Sequence, residues 1–244
     1  MAGRWDTVTV DGKSMRCYVT TPEGAGPFPA VVVIQHAGGV DEFIQTMTDR
    51  IAEAGFAGIA PELYHRDDPN SSDDALTRMG RLRDTKIVAD VNAAIEHAQS
   101  LLDVRGDRIG ITGFCMGGRI AYLMPAHHQA LRASVVFYGG NTMVTWGEGP
   151  TPFDLSDRTQ CPLLGLFGED DPNPSPADVA KIDTELTRLG KTHEFHSYPG
   201  AGHAFMNEGR PSYRQDAAEM PGQSASSGSN DTSSKCWSRS AQVA

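Results

Sequence analysis

The stretch IGITGFCMGGRIAY, Ile109 to Tyr122, constrains this fold more than any other part of the chain. Its first half reads as an apolar strand and its second half has helical spacing, with Gly113, Gly117 and Gly118 crowded around the join. Glycines there let the backbone bend sharply and let the helix lie close to the sheet. The residue at the bend is Cys115, set in Gly113-Phe114-Cys115-Met116-Gly117, the Gly-x-Ser-x-Gly arrangement of a nucleophile elbow with sulfur in place of oxygen. Unpaired N–H groups and the dipole at a helix amino terminus favour anions, and the thiolate is the attacking form of a thiol. A lone cysteine reads most simply as a small buried residue at a tight turn. Flanked by this ordered set of features, Cys115 reads instead as a nucleophile.

The rest of the chain supplies the sheet that such an elbow needs. Trp5 to Val10 and Met15 to Thr20 flank Asp11-Gly12 and read as a hairpin. Ala30 to Ile34 is fully apolar, the mark of a strand covered on both faces, and Glu42 to Ala54 follows as a helix stopped by Gly55. Phe56 to Ala60 is the next strand, Asp67 to Asp74 a polar loop, and Lys86 to Leu102 a helix. Strands are expected at Arg108 to Thr112, Ser134 to Tyr138, Leu163 to Phe167 and Glu194 to Tyr198, with helices at Gly117 to Met124 and at Pro176 to Leu189. Ser175 caps the last helix and Gly190 closes it. Alternating strands and helices predict an α/β fold: a mostly parallel central sheet flanked by helices on both faces, with a pocket at the carboxyl ends of the strands.

One domain is expected over residues 1–218. The residues from 219 to 244 read as a disordered or atypical tail, because Met220 to Ala244 holds eight serines and no helical stripe. A net charge of -10 without a basic block argues against nucleic acid as a partner. No window approaches about 20 uninterrupted apolar residues and the amino terminus lacks a secretory layout, so neither a membrane span nor export is expected and the cytoplasm is the expected location. Cys17, Cys115, Cys161 and Cys236 are widely spaced and form no CxxC pair, so reduced thiols are expected. No set of histidines and cysteines has metal-ligand spacing and no GxGxxG or GxxxxGK loop occurs, so neither a metal nor a cofactor is expected.

A thiol nucleophile needs a base and a group that orients the base, and in this architecture they follow the nucleophile in the order acid, base, each just after a strand. The loop GEDDPNPSP follows Leu163 to Phe167 and PGAGHAF follows Glu194 to Tyr198. His203 is the candidate base. Asp171 is the candidate acid by its spacing from the strand end, with Asp170 in reserve. An oxyanion would be held by the backbone N–H of Met116, next to the nucleophile, and by that of Ala37 in the glycine-bearing loop QHAGG.

These residues resemble the dienelactone hydrolase family, carboxymethylenebutenolidase-type α/β-hydrolases with a Cys-Asp-His triad. GFCMGG, GEDDPNPSP, YPGAGHAF and APELYHR match in type, order and spacing, and the resemblance covers roughly residues 1–218. It implies cleavage of a small ester or lactone through an acyl-thiol intermediate: Cys115 attacks, His203 moves the proton and Asp171 orients His203. His36, Tyr64 and Arg81 are candidate pocket residues, with Arg83 a further candidate anion contact. The chain departs from the family twice near the site. Gln35-His36 stands where a glutamate is usual, and Ala204 to Asn207 lacks the arginine that grips a substrate carboxylate. A thioesterase or other acyl-transfer enzyme using the same triad is the alternative activity, and a non-catalytic scaffold is the alternative of a different class.

Overall fold

Asp11 and Gly12 both adopt left-handed backbone, with φ of 51° and 73°, which suits the right-handed twist of a two-residue hairpin turn. They join strand β1 (Arg4–Val10) to β2 (Lys13–Thr20). This structure, a computed structural model, describes residues 3–68, 70–209 and 211–214. The expected tail beyond residue 218 lies outside the described residues. The chain continues through β3 (Phe28–Ile34), α1 (Glu42–Glu53), β4 (Ala57–Pro61), α2 (Ala75–Gly80), α3 (Asp84–Ser100) and β5 (Val104–Phe114). It then forms α4 (Met116–Leu123), β6 (Leu131–Phe137), β7 (Leu163–Gly168), α5 (Pro176–Arg188) and β8 (His193–Tyr198).

The eight strands of the described residues form one sheet in the order β1-β2-β4-β3-β5-β6-β7-β8. The hairpin pairs antiparallel, and β2 also pairs antiparallel with β4; every other pair is parallel. The fully apolar strand β3 sits inside the sheet, and its side chains alternate between two cores. Ala30, Val32 and Ile34 join the core that includes Ile87, Val91 and Ile95 of α3, Ile120 of α4 and Ile182 of α5. Val31 and Val33 join the core that includes Ile44, Met47 and Ile51 of α1. A buried Val or Ile contributes about 1.5–3 kcal/mol, so helices on both faces are what make a continuous run of them stable.

Ser175 caps the last helix as expected, and Asp41 is a cap that the sequence reading did not name. Asp41 accepts from the Ile44 N–H at 3.2 Å and starts α1, and Ser175 and Asp178 form a reciprocal capping box on α5. Several expected bounds need correcting: the strand expected at Ser134–Tyr138 spans Leu131–Phe137, and three further differences are larger in consequence. The strand expected at Arg108–Thr112 runs from Val104 to Phe114, because Val104 also pairs with β3, at Phe28, ahead of a register shift that spans Asp107 and Arg108. The segment after the polar loop contains an extra helix, α2, started by Asp74 capping the Thr77 N–H. The helix expected at Lys86–Leu102 spans Asp84–Ser100, and Leu102 is fully exposed.

A buried ion pair ties α4 to the start of α3. Arg119 has no exposed surface and donates to both carboxylate oxygens of Asp84, at 2.6 and 2.9 Å. It also donates to the carbonyls of Asn141 and Val144 and stacks on Trp146. Asp84 accepts in addition from the Trp146 N–H. Replacing Asp84 by Ala leaves a buried guanidinium without its carboxylate and should cost about 3–5 kcal/mol in denaturant unfolding. Replacing Arg188, in an exposed pair with Glu185, should leave the unfolding midpoint nearly unchanged.

Candidate active site

Because β3, β5, β6, β7 and β8 are mutually parallel, the loops that follow them open at one edge of the sheet. Each candidate residue lies on one of those loops: Ala37 after β3, Cys115 after β5, Asp171 after β7 and His203 after β8.

Cys115 occupies a bend with φ 57° and ψ −118°, a conformation that costs a non-glycine residue about 1–3 kcal/mol and persists only where its surroundings impose it. Here the surroundings are backbone. A Cβ at Gly113 would lie 2.1 Å from the Gly117 carbonyl oxygen, and one at Gly117 would lie 2.4 Å from that of Ile34. Only glycine allows α4 to begin this close to β3 and β5. The Cys115 N–H donates to the Phe137 carbonyl at 3.1 Å, which leaves Met116 as the first residue of α4 proper. Cys115 is partly exposed, whereas Cys17 and Cys161 are buried and burial pushes both of those thiols up to about 12.

His203 and Asp171 meet directly, Nδ1 to Oδ2, at 2.7 Å. Asp171 is buried and Asp170 is exposed, so the carboxylate reaching the imidazole is that of Asp171. Two residues beyond it, the Asn173 N–H donates to the second carboxylate oxygen at 2.9 Å. Burial pulls the His203 imidazole toward its neutral form, but hydrogen bonds with Asp171 and with Cys115 favour the cation and push its pKa up to about 10. The imidazole thus stands between a carboxylate and a sulfur.

Tyr138, at the end of β6, packs its ring edge-on to His203 with centroids 5.2 Å apart. Burial raises its phenol well above the ordinary value. Neither Tyr138 nor Asn173 was among the sequence candidates. The Asn before Pro in GEDDPNPSP was the available signal for the second, while nothing local marked Tyr138.

The candidate pocket residues take different positions. Tyr64 is buried, with its hydroxyl donating to the Ala37 carbonyl at 3.0 Å and touching Met116 Sδ at 3.5 Å. It therefore links the two segments that carry the candidate oxyanion donors, and burial pushes its phenol up to about 12. His36 Nε2 meets Asp41 at 2.8 Å and its Nδ1 faces the Gly38 N–H, which folds the loop after β3 back on the cap of α1. Gln35 is buried, its Oε1 accepting from the Leu63 N–H at 3.0 Å. Arg81 is half exposed and paired with Asp73 and Asp67. Arg83, not Arg81, lines a cavity of about 380 Å³ together with Leu82, Asn141 and Trp146. Its guanidinium donates to the Gly80 and Leu82 carbonyls.

Among the described residues, no cluster of three or more His, Cys, Asp or Glu is arranged to hold a metal ion, and no helix is long and apolar enough to cross a membrane.

Comparison with known proteins identifies the family. The sequence profile of the dienelactone hydrolase family matches residues 15–226. Proteins provisionally named carboxymethylenebutenolidase are similar: one from Methylorubrum extorquens is 35% identical over 210 residues, covering 83% of this chain and 72% of the relative. Another from Escherichia coli K12 is 35% identical over 223 residues, covering 87% and 81%. A crystal structure of a provisionally assigned dienelactone hydrolase from Klebsiella pneumoniae superposes with a TM-score of 0.81 at 33% identity, covering 89% of this chain and 93% of that one. A dienelactone hydrolase-like promiscuous phosphotriesterase from metagenomic libraries, at 22% identity and a TM-score of 0.76, shares the fold. The chain belongs to the dienelactone hydrolase family, with its α/β-hydrolase fold, and is a hydrolase acting on ester or lactone bonds.

Proposed function

We propose that the chain cleaves small esters or lactones through an acyl-thiol intermediate on Cys115, with His203 as acid and base and Asp171 as its orienting carboxylate. The observation that carries this reading is the imidazole held between Asp171, at 2.7 Å, and the Cys115 sulfur. The sulfur adds to the substrate carbonyl, and the carbonyl oxygen takes up the negative charge. Two backbone N–H groups, those of Met116 and Ala37, are assigned to hold that oxyanion. Collapse of the tetrahedral intermediate expels the alcohol oxygen, which takes the proton from His203 and leaves the acyl group on sulfur. Water then donates a proton to His203 and adds to the thioester; a second collapse expels the thiolate, releases the carboxylic acid and so restores the sulfur–imidazole pair.

Each partner suits its role for a physical reason. Asp171, buried and with both carboxylate oxygens engaged, fixes the imidazole tautomer so that the other ring nitrogen faces sulfur. The strained bend at Cys115 keeps the sulfur at the mouth of the site. A reduced thiol is essential, so we assign the chain to a reducing compartment, the cytoplasm. The substrate is a small-molecule ester or lactone. The positions after His203 carry no cation, since Phe205 and Met206 are buried apolar residues. A hydrolysis panel of lactones, acetate esters and thioesters, with the Cys115→Ser variant as control, decides between the ester or lactone reading and a thioesterase.

In a Cys236→Ser background, iodoacetamide should alkylate Cys115 at least ten times faster than the buried Cys17 and Cys161, with loss of p-nitrophenyl acetate hydrolysis in step with labelling. Uniformly slow labelling would favour a non-catalytic scaffold. The imidazolium of His203 is present below about 10 and lost above it. Leaving-group protonation therefore persists through neutral pH, and the rate should fall as pH rises through about 10. Replacing His203 by Ala should remove that alkaline limb and lower turnover about 10²–10⁴-fold. Tyr64→Phe keeps the ring but frees the Ala37 carbonyl. It should reduce kcat with KM nearly unchanged, and cost about 0.5–1.5 kcal/mol of stability for the lost hydrogen bond.

A further inference from the structure

A continuous run of hydrogen bonds leads from the cavity wall to His203. Asn141, in that wall, accepts from Asn173 Nδ2 through its side-chain oxygen at 3.2 Å, and its backbone N–H donates to Asn173 Oδ1 at 3.1 Å. The Asn173 N–H donates to Asp171 Oδ1 at 2.9 Å, and Asp171 Oδ2 meets His203 at 2.7 Å. Asn173 thus spends both ends of its amide on Asn141 and its backbone on the acid.

Both ends of this run are anchored. Asn141 sits in left-handed backbone at φ 55°, which Asn tolerates better than most side chains, and its carbonyl is held by the buried Arg119 at 3.0 Å. Arg119 lies one helical turn after Cys115, and its amide donates to the Cys115 carbonyl. A Cβ at Gly140 would fall 2.4 Å from Asn173 Oδ1, so the loop after β6 presses against the acid loop. A buried carboxylate with one oxygen on the imidazole turns about its Cβ–Cγ bond unless the other oxygen is also fixed. The only hydrogen bond on that second oxygen among the described residues comes from the Asn173 N–H.

We propose that Asn141 and Asn173 form a positioning pair that sets the angle of the Asp171 carboxylate against His203 from the loop after β6. The proposal rests on the Cys115–His203–Asp171 reading. Neither residue touches the reacting atoms; both act through Asp171. Loss of the pair loosens the hydrogen bond that favours the imidazolium and misaligns the imidazole toward sulfur.

The test compares Asn173→Ala, Asn141→Gly and Asn141→Asp on p-nitrophenyl acetate, with Asp171→Asn alongside. Asn141→Gly keeps the left-handed backbone and removes the acceptor; Asn141→Asp keeps an acceptor in the same place. NMR of the His203 ring follows its titration, in which the facing groups are Cys115, Asp171 and the Tyr138 ring. Asn173→Ala and Asn141→Gly should each lower kcat about tenfold with little change in KM and shift the His203 titration to lower pH, while Asn141→Asp stays within about threefold of the parent. Parental kcat and titration in the first two variants, with Asp171→Asn at least a hundredfold slower, would overturn the pair and leave the reading intact. A drop in kcat with an unmoved titration would also overturn it, because the effect would then be structural. An Asp171→Asn variant as active as the parent would remove the reading and the proposal together.

Discussion

The close approach of α4 to the sheet is the constraint on which the site depends. Gly113 and Gly117 leave no room for a side chain between the start of the helix and strands β3 and β5, and that contact is what holds Cys115 in a conformation it would not adopt alone. The strain is local while its support is distributed. The Phe137 carbonyl takes the Cys115 N–H, the core beneath α4 is packed by Ile120 and Ala121, and the buried Arg119–Asp84 pair fixes the other side of the helix. A sulfur at such a bend is exposed because everything around it is not.

Parallel strands then do the gathering. Residues separated by nearly ninety positions in sequence, Cys115 and His203, come close enough for the sulfur to bear on the imidazole because each follows a parallel strand and opens on the same edge. Electrostatics complete the arrangement. A half-buried imidazole alone would be neutral; two flanking partners reverse that preference and keep it cationic through neutral pH. That is the protonation state able to give a proton to a leaving alcohol.

Much of this was legible in the residues, and what was not has identifiable causes. Asp11-Gly12, Ser175, and the run Ala30 to Ile34 are local signals whose physics is local: positive φ, capping and two-sided burial. The glycine spacing around Cys115 carried the bend, and the order of GEDDPNPSP and PGAGHAF carried the acid and base candidates. Missed features depend on tertiary contacts. Nothing in the helical spacing around Arg119 announces that it is buried against Asp84, since charged residues in such a stripe are usually at the surface. The Asn141–Asn173 pair joins two loops 32 residues apart, and Tyr138 matters through the ring it faces. Arg81 and Arg83 are two positions apart in a segment without periodicity, so their different surroundings, acid pairs for one and a cavity for the other, could be seen only in three dimensions.

The central claim is covalent: during turnover the acyl group resides on the sulfur of Cys115. Rapid acid quench of the protein with p-nitrophenyl acetate, followed by peptide mass spectrometry, tests it directly. The account predicts an acetyl group on the peptide carrying Cys115, formed as fast as p-nitrophenol in the first turnover and absent from a Cys115→Ala protein. Steady hydrolysis with no acetyl group at Cys115 at any quench time, or hydrolysis undiminished in the Cys115→Ala protein, would contradict it.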